Sequence, residues 1–451
     1  MGTNVHARAL GWHKNYKINV PLIPIASSSE TQDDSAPRLA WGISIRRIPC
    51  RNPRPSKDVI DHDKEDERQQ DSEQLLLPRK TPSRFYASPS IQCSLLTQLF
   101  YFQLSTDQGN FLGIVMPGIV GAGLHVPTWR IKTEDISKAW GGQSLPGEIS
   151  VAGLDEDVFT LAVSAAKDAL ENSNIEPRDV GMVCINTTSQ SKFPLAPRVA
   201  FALGLETEAR VHDFGLSTRG TTQAMLASLD AVSAGSVRSA LVIGVEVPIP
   251  KPGSSDELSW GAAAGAVVIG KTALVLAVKG CSSHSSAFVE RWAIPGTPFQ
   301  KETAFSRFGR DMGYVDHVCS STSSLFNRLA LKPEALKLAI FQESGSAERA
   351  AKTLGIAPDR ILRTQSSRFF GDTGSAALLL GLIESADKVR AGDLLLLASY
   401  GIGGSDALCL VAEKPEEMGH ALGKLRAFCE RKIYVDYPSL LRHRKIIGYG
   451  S

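Results

Sequence analysis

The sequence predicts an α/β fold in which helices cover both faces of the sheets. Short and continuously apolar runs, such as 239–247 and 394–400, are typical of buried strands. Segments with the helical spacing of apolar residues lie between these runs. Strand, glycine-rich loop and strand follow one another at 239–270 and again at 394–412. The repeated order indicates an internal duplication of a layered α/β unit.

The first 115 residues do not share this pattern. They contain clusters of Ser, Pro, Arg and Gln and the charged run DHDKEDERQQDSEQ at 61–74. Neither helical nor strand periodicity persists there, so we predict a low-complexity, poorly ordered extension over 1–115. Met116 directly precedes the first well-patterned strand and offers an alternative start. We therefore expect a chain that begins at Met116 to fold.

The N-terminal half is predicted to span 116–273. After the acidic residues Asp155, Glu156 and Asp157, apolar residues recur with helical spacing, and the acids suit the positive end of the helix dipole. In chain order we predict a strand with a glycine-rich exit over 118–131, this helix, a buried strand over 180–185, a helix over 195–203, an Ala-rich helix ending near 234, and strands over 239–247 and 265–270.

The C-terminal half is predicted to span 274–451 and repeats the same order. We predict helices over 313–329 and 333–337, a short strand over 338–341, a helix over 347–354, a glycine turn followed by a helix within 369–389, and strands over 394–400 and 407–412. The loop GIGGSD between the last two strands does not match a phosphate-binding glycine motif.

Composition excludes several classes of protein. Apolar residues make up 43% and charged residues 21%, as in ordinary globular proteins, and the net charge of +2 gives no electrostatic reason to expect nucleic acid or a membrane as partner. No apolar window is long enough to cross a membrane. Seven cysteines without CxxC spacing indicate free thiols in a reducing compartment, so we expect a cytoplasmic protein without a metal site.

The stretch VHDFGLSTRGTT at 211–222 reads as an extended entry, a glycine-containing turn and a helix that begins with Ser217, Thr218 and Arg219. Hydroxyls at such an elbow face backbone N–H groups and the positive end of a helix dipole, where a developing oxyanion is stabilised. A nucleophile is one interpretation of Ser217 or Thr218. A side-chain cap of the helix is the other.

Over 118–440 the chain resembles the thiolase superfamily, and most closely the hydroxymethylglutaryl-CoA synthases of the archaeal type. The motifs that carry the resemblance include GAGLHVPTWRIKTEDISKAWG, DVGMVCINTTS, HDFGLSTRGTTQAM, SSDELSWGAAAGAVVIG, FFGDTGSAALLLGL and SYGIGGSDAL. The resemblance implies a five-layer αβαβα fold with two pseudo-duplicated halves, a homodimer or a partner subunit of the same superfamily, and acyl-CoA as substrate without a further cofactor. In the family, a cysteine takes an acyl group, and His with Asn or Glu assists condensation with a second acyl-CoA.

The resemblance assigns four positions of the family's catalytic groups to other residues. Asp213 is followed by FGLS and then Thr218, which stands in the place of the cysteine. Thr188 stands in the place of the acid/base Glu, and Asp372 in that of the Asn. The family's His matches Phe341 or, with one residue missing nearby, Ile340.

A threonine hydroxyl needs a general base, whereas a cysteine thiol with a pKa near ~8.5 can be ionised by a helix N-terminus. Asp372 is a candidate base for Thr218, or else a cap of the helix that follows it. His212 is a candidate base if it turns inward, or else a strand-edge residue. Cys184 reads as a core residue rather than a displaced nucleophile. Arg219 is a candidate contact for a CoA phosphate, or a solvated helix residue.

From these residues we expect a hydroxymethylglutaryl-CoA synthase-like acyltransferase that acts on acyl-CoA, in secondary metabolism, with an altered or lost condensing site. The alternative is a catalytically inactive scaffold of the same fold. Such a scaffold would bind an active subunit of the superfamily or an acyl carrier.

Overall fold

The computed structural model describes residues 116–142, 146–191, 193–289, 291–293, 299–302, 309–342 and 346–448. The extension predicted over 1–115 lies outside the described residues. The strands are Gly118–His125 (β1), Trp129–Lys132 (β2), Glu148–Ser150 (β3), Val180–Thr187 (β4), Arg210–Gly215 (β5), Ser239–Glu246 (β6), Ala263–Gly270 (β7), Leu276–Ser285 (β8), Arg291–Ala293 (β9), Gln300–Glu302 (β10), Leu336–Phe341 (β11), Leu394–Ala398 (β12), Gly404–Ala412 (β13) and Ile433–Tyr434 (β14).

The α-helices of the described residues are between 6 and 16 residues long. They are Thr133–Ala139 (α1), Val158–Ser173 (α2), Ala196–Ala202 (α3), Gly220–Ser233 (α4), Asp316–Leu329 (α5), Ala347–Thr353 (α6), Gln365–Phe370 (α7), Ala377–Glu384 (α8), Gly419–Glu430 (α9) and Tyr437–His443 (α10). A π-helical turn, Gly309–Val315, leads into α5. None of the helices in the described part of the chain is long and apolar enough to cross a membrane.

Nine strands form one sheet in the order β11-β12-β13-β8-β1-β7-β6-β4-β5. The order is mirrored about its middle, since β8-β13-β12-β11 repeats β1-β7-β6-β4 with the same parallel and antiparallel pairings. A parallel bridge between Ala339 and Ile361 stands in the place that β5 takes in the first half. The two halves meet where β1 pairs with β8. The predicted α/β class and its internal duplication are confirmed.

Three apolar cores separate the layers of helices and sheet. The central core packs α4, α8 and α9 between the two halves of the sheet. A second core holds α2 and α3 against the outer face of the first half, and a third holds α5 and α6 against the outer face of the second. The succession of helix, sheet, helix, sheet and helix gives the five layers that the family resemblance implies.

Helix α2 begins where its acids predict, because Asp157 and Thr160 form a capping box. The strand predicted over 118–131 is wrong in its second part. Pro127 has no N–H to donate, so β1 ends before it, and β2 joins a separate three-stranded sheet of β14, β2 and β3.

Two further differences concern the second half. The helix predicted over 333–337 is a short turn followed by β11, in which buried Leu336 and Leu338 alternate with exposed Lys337. Strand β8 and helices α9 and α10 are not anticipated by the sequence pattern. The outer part of β8 is only half-buried and reads as polar, so its alternation is not clear from the letters.

Candidate active site

Three of the predicted site residues line one cavity: Thr188, Thr218 and Asp372. The cavity and its open mouth together hold about 580 Å³. Its wall is formed by the segments that follow the parallel strands β4 and β6, together with Trp260 and Gly374. Ligands of α/β proteins commonly bind outside the carboxyl ends of parallel strands, so the position is suited to a substrate.

The elbow between β5 and α4 holds an unusual backbone conformation. Leu216 has a φ of +65° although it is not glycine, and 84% of its surface is exposed. Such a conformation costs about 1–2 kcal/mol and is found where the surrounding structure holds it in place. Ser217, Thr218 and Arg219 form a turn, and the helix begins only at Gly220, later than predicted. A Cβ at Gly220 would lie 2.2 Å from Oδ1 of Asn186.

Neither elbow hydroxyl caps the helix, so the interpretation of Ser217 or Thr218 as a cap is wrong. Thr218 Oγ1 donates to the carbonyl oxygen of Tyr400 at 2.8 Å, and Ser217 Oγ donates to that of Ile402 at 3.3 Å. Both acceptors belong to the second half of the chain. A backbone carbonyl holds the Thr218 hydroxyl but does not take its proton, as a general base would.

Asn186, near the end of β4, forms hydrogen bonds to the elbow and is not predicted as a site residue from the sequence. It is fully buried, and its Nδ2 donates to Ser217 O at 3.1 Å, Thr221 Oγ1 at 3.2 Å and Ser375 Oγ at 3.0 Å. A buried amide with several acceptors is costly to replace by an apolar group. The feature of the sequence that could have indicated Asn186 is an amide side chain near the end of an otherwise apolar strand.

Glu246, the last residue of β6, is a buried carboxylate in the cavity wall and is also not anticipated. Its Oε1 accepts from Thr188 N at 2.8 Å and from Ser375 Oγ at 2.5 Å, and its Oε2 accepts from Ser189 Oγ at 2.6 Å. These charge-assisted bonds join three segments of the wall. The signal in the sequence is a charged residue at the end of a continuously apolar strand.

Asp372 lines the cavity and also bonds a backbone N–H two residues further along the chain. Its Oδ1 accepts the N–H of Gly374 at 2.9 Å, at the start of the turn Gly374–Ala376 that leads into α8. The N-cap of this turn is Thr373 and no side chain caps it, so the alternative that Asp372 caps the helix is wrong. Its role as a base stays a prediction.

Phe341 and Ile340 do not line the cavity. Phe341 is buried in the outer core with Tyr314 and Tyr400, while Ile340 faces the central core. The next residue, Gln342, connects this strand to the cavity wall, because its Nε2 donates to Gly374 O at 2.8 Å. The match of Phe341 to the family's His stays a prediction, and neither side chain offers an acid or a base.

Arg219 is buried, with 4% of its surface exposed, so its interpretation as a solvated helix residue is wrong. Its Nε and Nη2 form a bidentate pair with Asp406 at 3.0 and 2.8 Å, and further N–H groups donate to Gly403 O and Ser285 Oγ. The guanidinium therefore ties the elbow to the second half. The CoA contact predicted for Arg219 stays a prediction.

Two other candidates, Cys184 and His212, have structural rather than catalytic positions. Cys184 is fully buried, and burial raises the pKa of its thiol to about 11, with a hydrogen bond from Ser228 acting in the opposite direction. The thiolate needed for a nucleophile is thereby disfavoured, and the interpretation of Cys184 as a core residue is confirmed. His212 is an exposed residue of β5, at the edge of the sheet, as its strand-edge interpretation predicts.

Curated proteins similar to this chain are hydroxymethylglutaryl-CoA synthases. The enzyme of Methanopyrus kandleri is 32% identical over 347 residues, which cover 74% of this chain and 98% of the relative. That of Methanocaldococcus jannaschii is 30% identical, over 74% of this chain and 99% of the relative. No family model matches the sequence.

Solved structures similar to this one share the fold. MvaS in complex with 3-hydroxy-3-methylglutaryl coenzyme A has a TM-score of 0.62 and 19% identity, over 73% of this chain and 92% of that one. An HMG-CoA synthase complexed with CoA has a TM-score of 0.62 and 18% identity, over 72% and 90%. The 3-oxoacyl-[acyl-carrier-protein] synthase III of Aquifex aeolicus has a TM-score of 0.58 and 21% identity, over 65% and 99%.

Proposed function

Because this chain belongs to the hydroxymethylglutaryl-CoA synthase family of the thiolase superfamily, we propose that it binds an acyl-CoA thioester in the cavity beside Thr218. The observation that carries the proposal is the convergence of Thr188, Thr218 and Asp372, which lie on separate segments of the chain, on one cavity. Two of the similar structures are complexes with coenzyme A or its thioester.

We propose that the condensing reaction of the family is altered in this chain. Thr218 replaces the thiol, and its hydroxyl donates to the Tyr400 carbonyl. Loss of a nucleophile or its base costs on the order of 10⁴–10⁶ in rate. Acyl transfer to Thr218 would then depend on a carboxylate of the cavity wall, Asp372 or Glu246, as base. A slow, diverged acyltransferase of this kind suits secondary metabolism in the cytoplasm.

A second candidate function is a catalytically inactive subunit that pairs with an active relative or an acyl carrier. The hydrogen bond of Thr218 to a carbonyl, rather than to a base, favours this alternative. It retains the cavity and the fold but requires no turnover.

Intact-mass analysis after incubation with acetyl-CoA and acetoacetyl-CoA separates the two functions. An acyl adduct that is absent from Thr218→Ala but kept in Thr353→Ala, a threonine that does not line the cavity, supports the acyltransferase. Binding of CoA without an adduct or CoA release, together with co-purification of a second subunit, supports the scaffold. Failure to bind acyl-CoA at all contradicts the proposed use of the cavity.

We propose further that the chain forms a homodimer through β5. This strand pairs with β4 on one side, and no strand of the described residues pairs with its other edge. Val211, Leu216 and Phe201 are exposed on β5 and beside it, and exposed strand edges with apolar neighbours are ready sites of association. Phe201→Asp with Val211→Lys should convert a dimer to a monomer in analytical ultracentrifugation, whereas Leu154→Asp, another exposed apolar position, should not. A wild-type monomer at micromolar concentration would contradict this proposal.

A further inference from the structure

We propose that Ser286 and His317 form a second nucleophile–base pair, which accepts small acyl groups from activated esters. The pair lies beyond the end of β8, at the start of α5, and neither residue lines the cavity described above. Ser286 Oγ and His317 Nε2 are 2.6 Å apart. The proposal does not depend on the function proposed for the cavity.

The second ring nitrogen of His317 fixes the tautomer. Its Nδ1 lies 2.6 Å from the carbonyl oxygen of Gly313, which can only accept a hydrogen bond, so Nδ1 carries a proton. In the neutral ring, Nε2 then presents its lone pair to the hydroxyl of Ser286. A nucleophile, a base and a third group that orients the base are the parts of an activated hydroxyl site.

The imidazole is held in place by packing. Only 5% of His317 is exposed, and its ring lies against those of His284, Phe288 and Tyr400 at centroid distances of 5.2, 5.7 and 6.1 Å. A ring that is surrounded in this way keeps the orientation that its two hydrogen bonds require. Little reorganisation is then needed when a proton is transferred to Nε2.

Ser286 is exposed, whereas its base is buried. Its backbone N–H donates to Gly403 O at 2.9 Å, which fixes the segment, and its Oγ accepts the N–H of Phe288 at 3.0 Å. The N–H of Phe288 would stabilise negative charge that develops on this oxygen. An ester in solution can therefore reach an oxygen whose proton acceptor and N–H donor are already in position.

The reaction balances without a cofactor. Ser286 Oγ bonds to the carbonyl carbon of the ester while its proton passes to His317 Nε2, and the bond to the leaving alcohol breaks with its electron pair. The leaving group takes the proton from Nε2, which leaves an acyl-serine and a neutral imidazole. Water then attacks the acyl-serine, gives its proton to Nε2, and the proton returns to Ser286 Oγ as the carboxylic acid departs.

The test uses the full chain with p-nitrophenyl acetate, followed by the release of p-nitrophenolate, intact mass and peptide mapping. We expect acetylation at Ser286, and a loss of the burst by roughly 100-fold or more in Ser286→Ala and in His317→Gln. Ser283→Ala is the matched control, because Ser283 is an exposed serine of β8, the strand that ends just before Ser286; it should react like the wild type. Labelling of Ser286 that is unchanged in His317→Gln would mean that the histidine is only structural, and would overturn the pair.

A variant that fails to fold is recognised by the loss of its thermal transition. In that case, a measurement on the wild type alone still tests the proposal. A fluorophosphonate should modify Ser286 of the folded wild-type chain, by attack of Oγ on phosphorus with loss of fluoride. An adduct at Ser286 that disappears when the chain is unfolded in urea supports the proposal. Modification only elsewhere, or no modification, overturns it.

Discussion

Under the proposed function, Thr218 presents a hydroxyl where the resemblance to the family implies a cysteine thiol, and the two groups differ in acidity. A thiol with a pKa near ~8.5 is partly ionised at neutral pH once a helix N-terminus or a nearby cation stabilises it, whereas a hydroxyl is not. The elbow is still built in detail around this position: Asn186 Nδ2 bonds the carbonyl of Ser217, and Leu216 keeps its left-handed backbone. The geometry at the elbow is therefore separable from the chemical group that it carries.

Thr218→Cys should acquire a reactive thiol. We expect iodoacetamide to label Cys introduced at this position roughly tenfold faster at neutral pH than Cys introduced in Thr353→Cys, because only the first stands at the start of α4. Acetyl-CoA should also leave an adduct on the first variant. Peptide mapping distinguishes these thiols from Cys184, whose burial raises its pKa to about 11. Equal labelling of the two introduced thiols would contradict the assignment of the elbow.

The pair of Arg219 and Asp406 should be costly to break. Both side chains are buried, and Asp406 also accepts from Thr222 Oγ1 at 2.8 Å. Arg219→Met leaves a buried carboxylate without its cation, and we expect a loss of about 3–5 kcal/mol in the free energy of unfolding by urea. The control is Arg238→Met, whose partner Asp179 is reached across the surface, with an expected loss below about 1 kcal/mol. Similar losses in the two variants would show that the buried pair is dispensable.

At the scale of elements, the strands that were predicted correctly are those whose two faces are both buried. β4, β6, β7, β12 and β13 each read as a continuous apolar run, and their ends agree with the predicted ones to within three residues. β8 was missed although it pairs with β1 and β13, because its outer part is half-buried and polar. The pattern of apolar residues along a strand reflects its burial, so the pattern does not identify a strand that is only partly buried.

The residues of the cavity are also only partly predictable from the sequence, for a different reason. Thr188, Thr218 and Asp372 could be named because a family resemblance supplied their positions, and no periodicity in the sequence would have brought them together. Asn186 and Glu246 were missed because their partner, Ser375, lies 189 and 129 residues away in the chain. Hydrogen bonds of this range depend on how the halves dock.

The contact between His125, at the end of β1, and Glu156, just before α2, should contribute less stability at acid pH. Glu156 accepts from Gly153 N at 2.8 Å and lies 3.0 Å from His125 Nε2. Burial raises the pKa of Glu156, but the hydrogen bonds of His125 and Gly153 and the charges of His125 and Arg130 outweigh it, so the pKa lies below its ordinary value of 4.5. The folded chain thus favours the ionised carboxylate of Glu156. This preference stabilises the fold at pH values above the ordinary pKa of the group, and the stabilisation is lost as the pH falls through the lower pKa of the folded chain.

Between about pH 6 and about pH 3, the wild type should therefore lose more stability than Glu156→Gln. Urea midpoints measured at each pH give the comparison. Glu206→Gln, an exposed position, should follow the wild type. Parallel curves for the wild type and Glu156→Gln would contradict the role given to this carboxylate.

For the whole molecule, the elbow is one of the places where polar contacts join the two halves. Thr218 reaches Tyr400, Asn186 reaches Ser375, and Arg219 reaches Asp406, each from the first half to the second. The central core of α4, α8 and α9 packs behind these contacts. The cavity therefore exists only when the halves are docked, and a loss of docking should remove ligand binding and stability together.

The last prediction concerns how much of the chain is needed for this arrangement. The apolar cores of the described residues lie between Ile119 and Leu440. The segment before them is rich in charged and small polar residues, which bury little apolar surface. A chain that begins at Met116 should therefore fold, and its thermal midpoint should lie within about 4 °C of that of the full chain, a shift that corresponds to roughly 1–2 kcal/mol.

A chain that begins at Val126 is the matched control, since it lacks all of β1. Ile119 and Leu124 of that strand are fully buried, and β1 pairs with both β7 and β8, so its removal takes away the strand that joins the halves. This shorter chain should not show a cooperative thermal transition by circular dichroism. Aggregation of the chain that begins at Met116, while the full chain stays in solution under the same conditions, would mean that residues before 116 stabilise the fold.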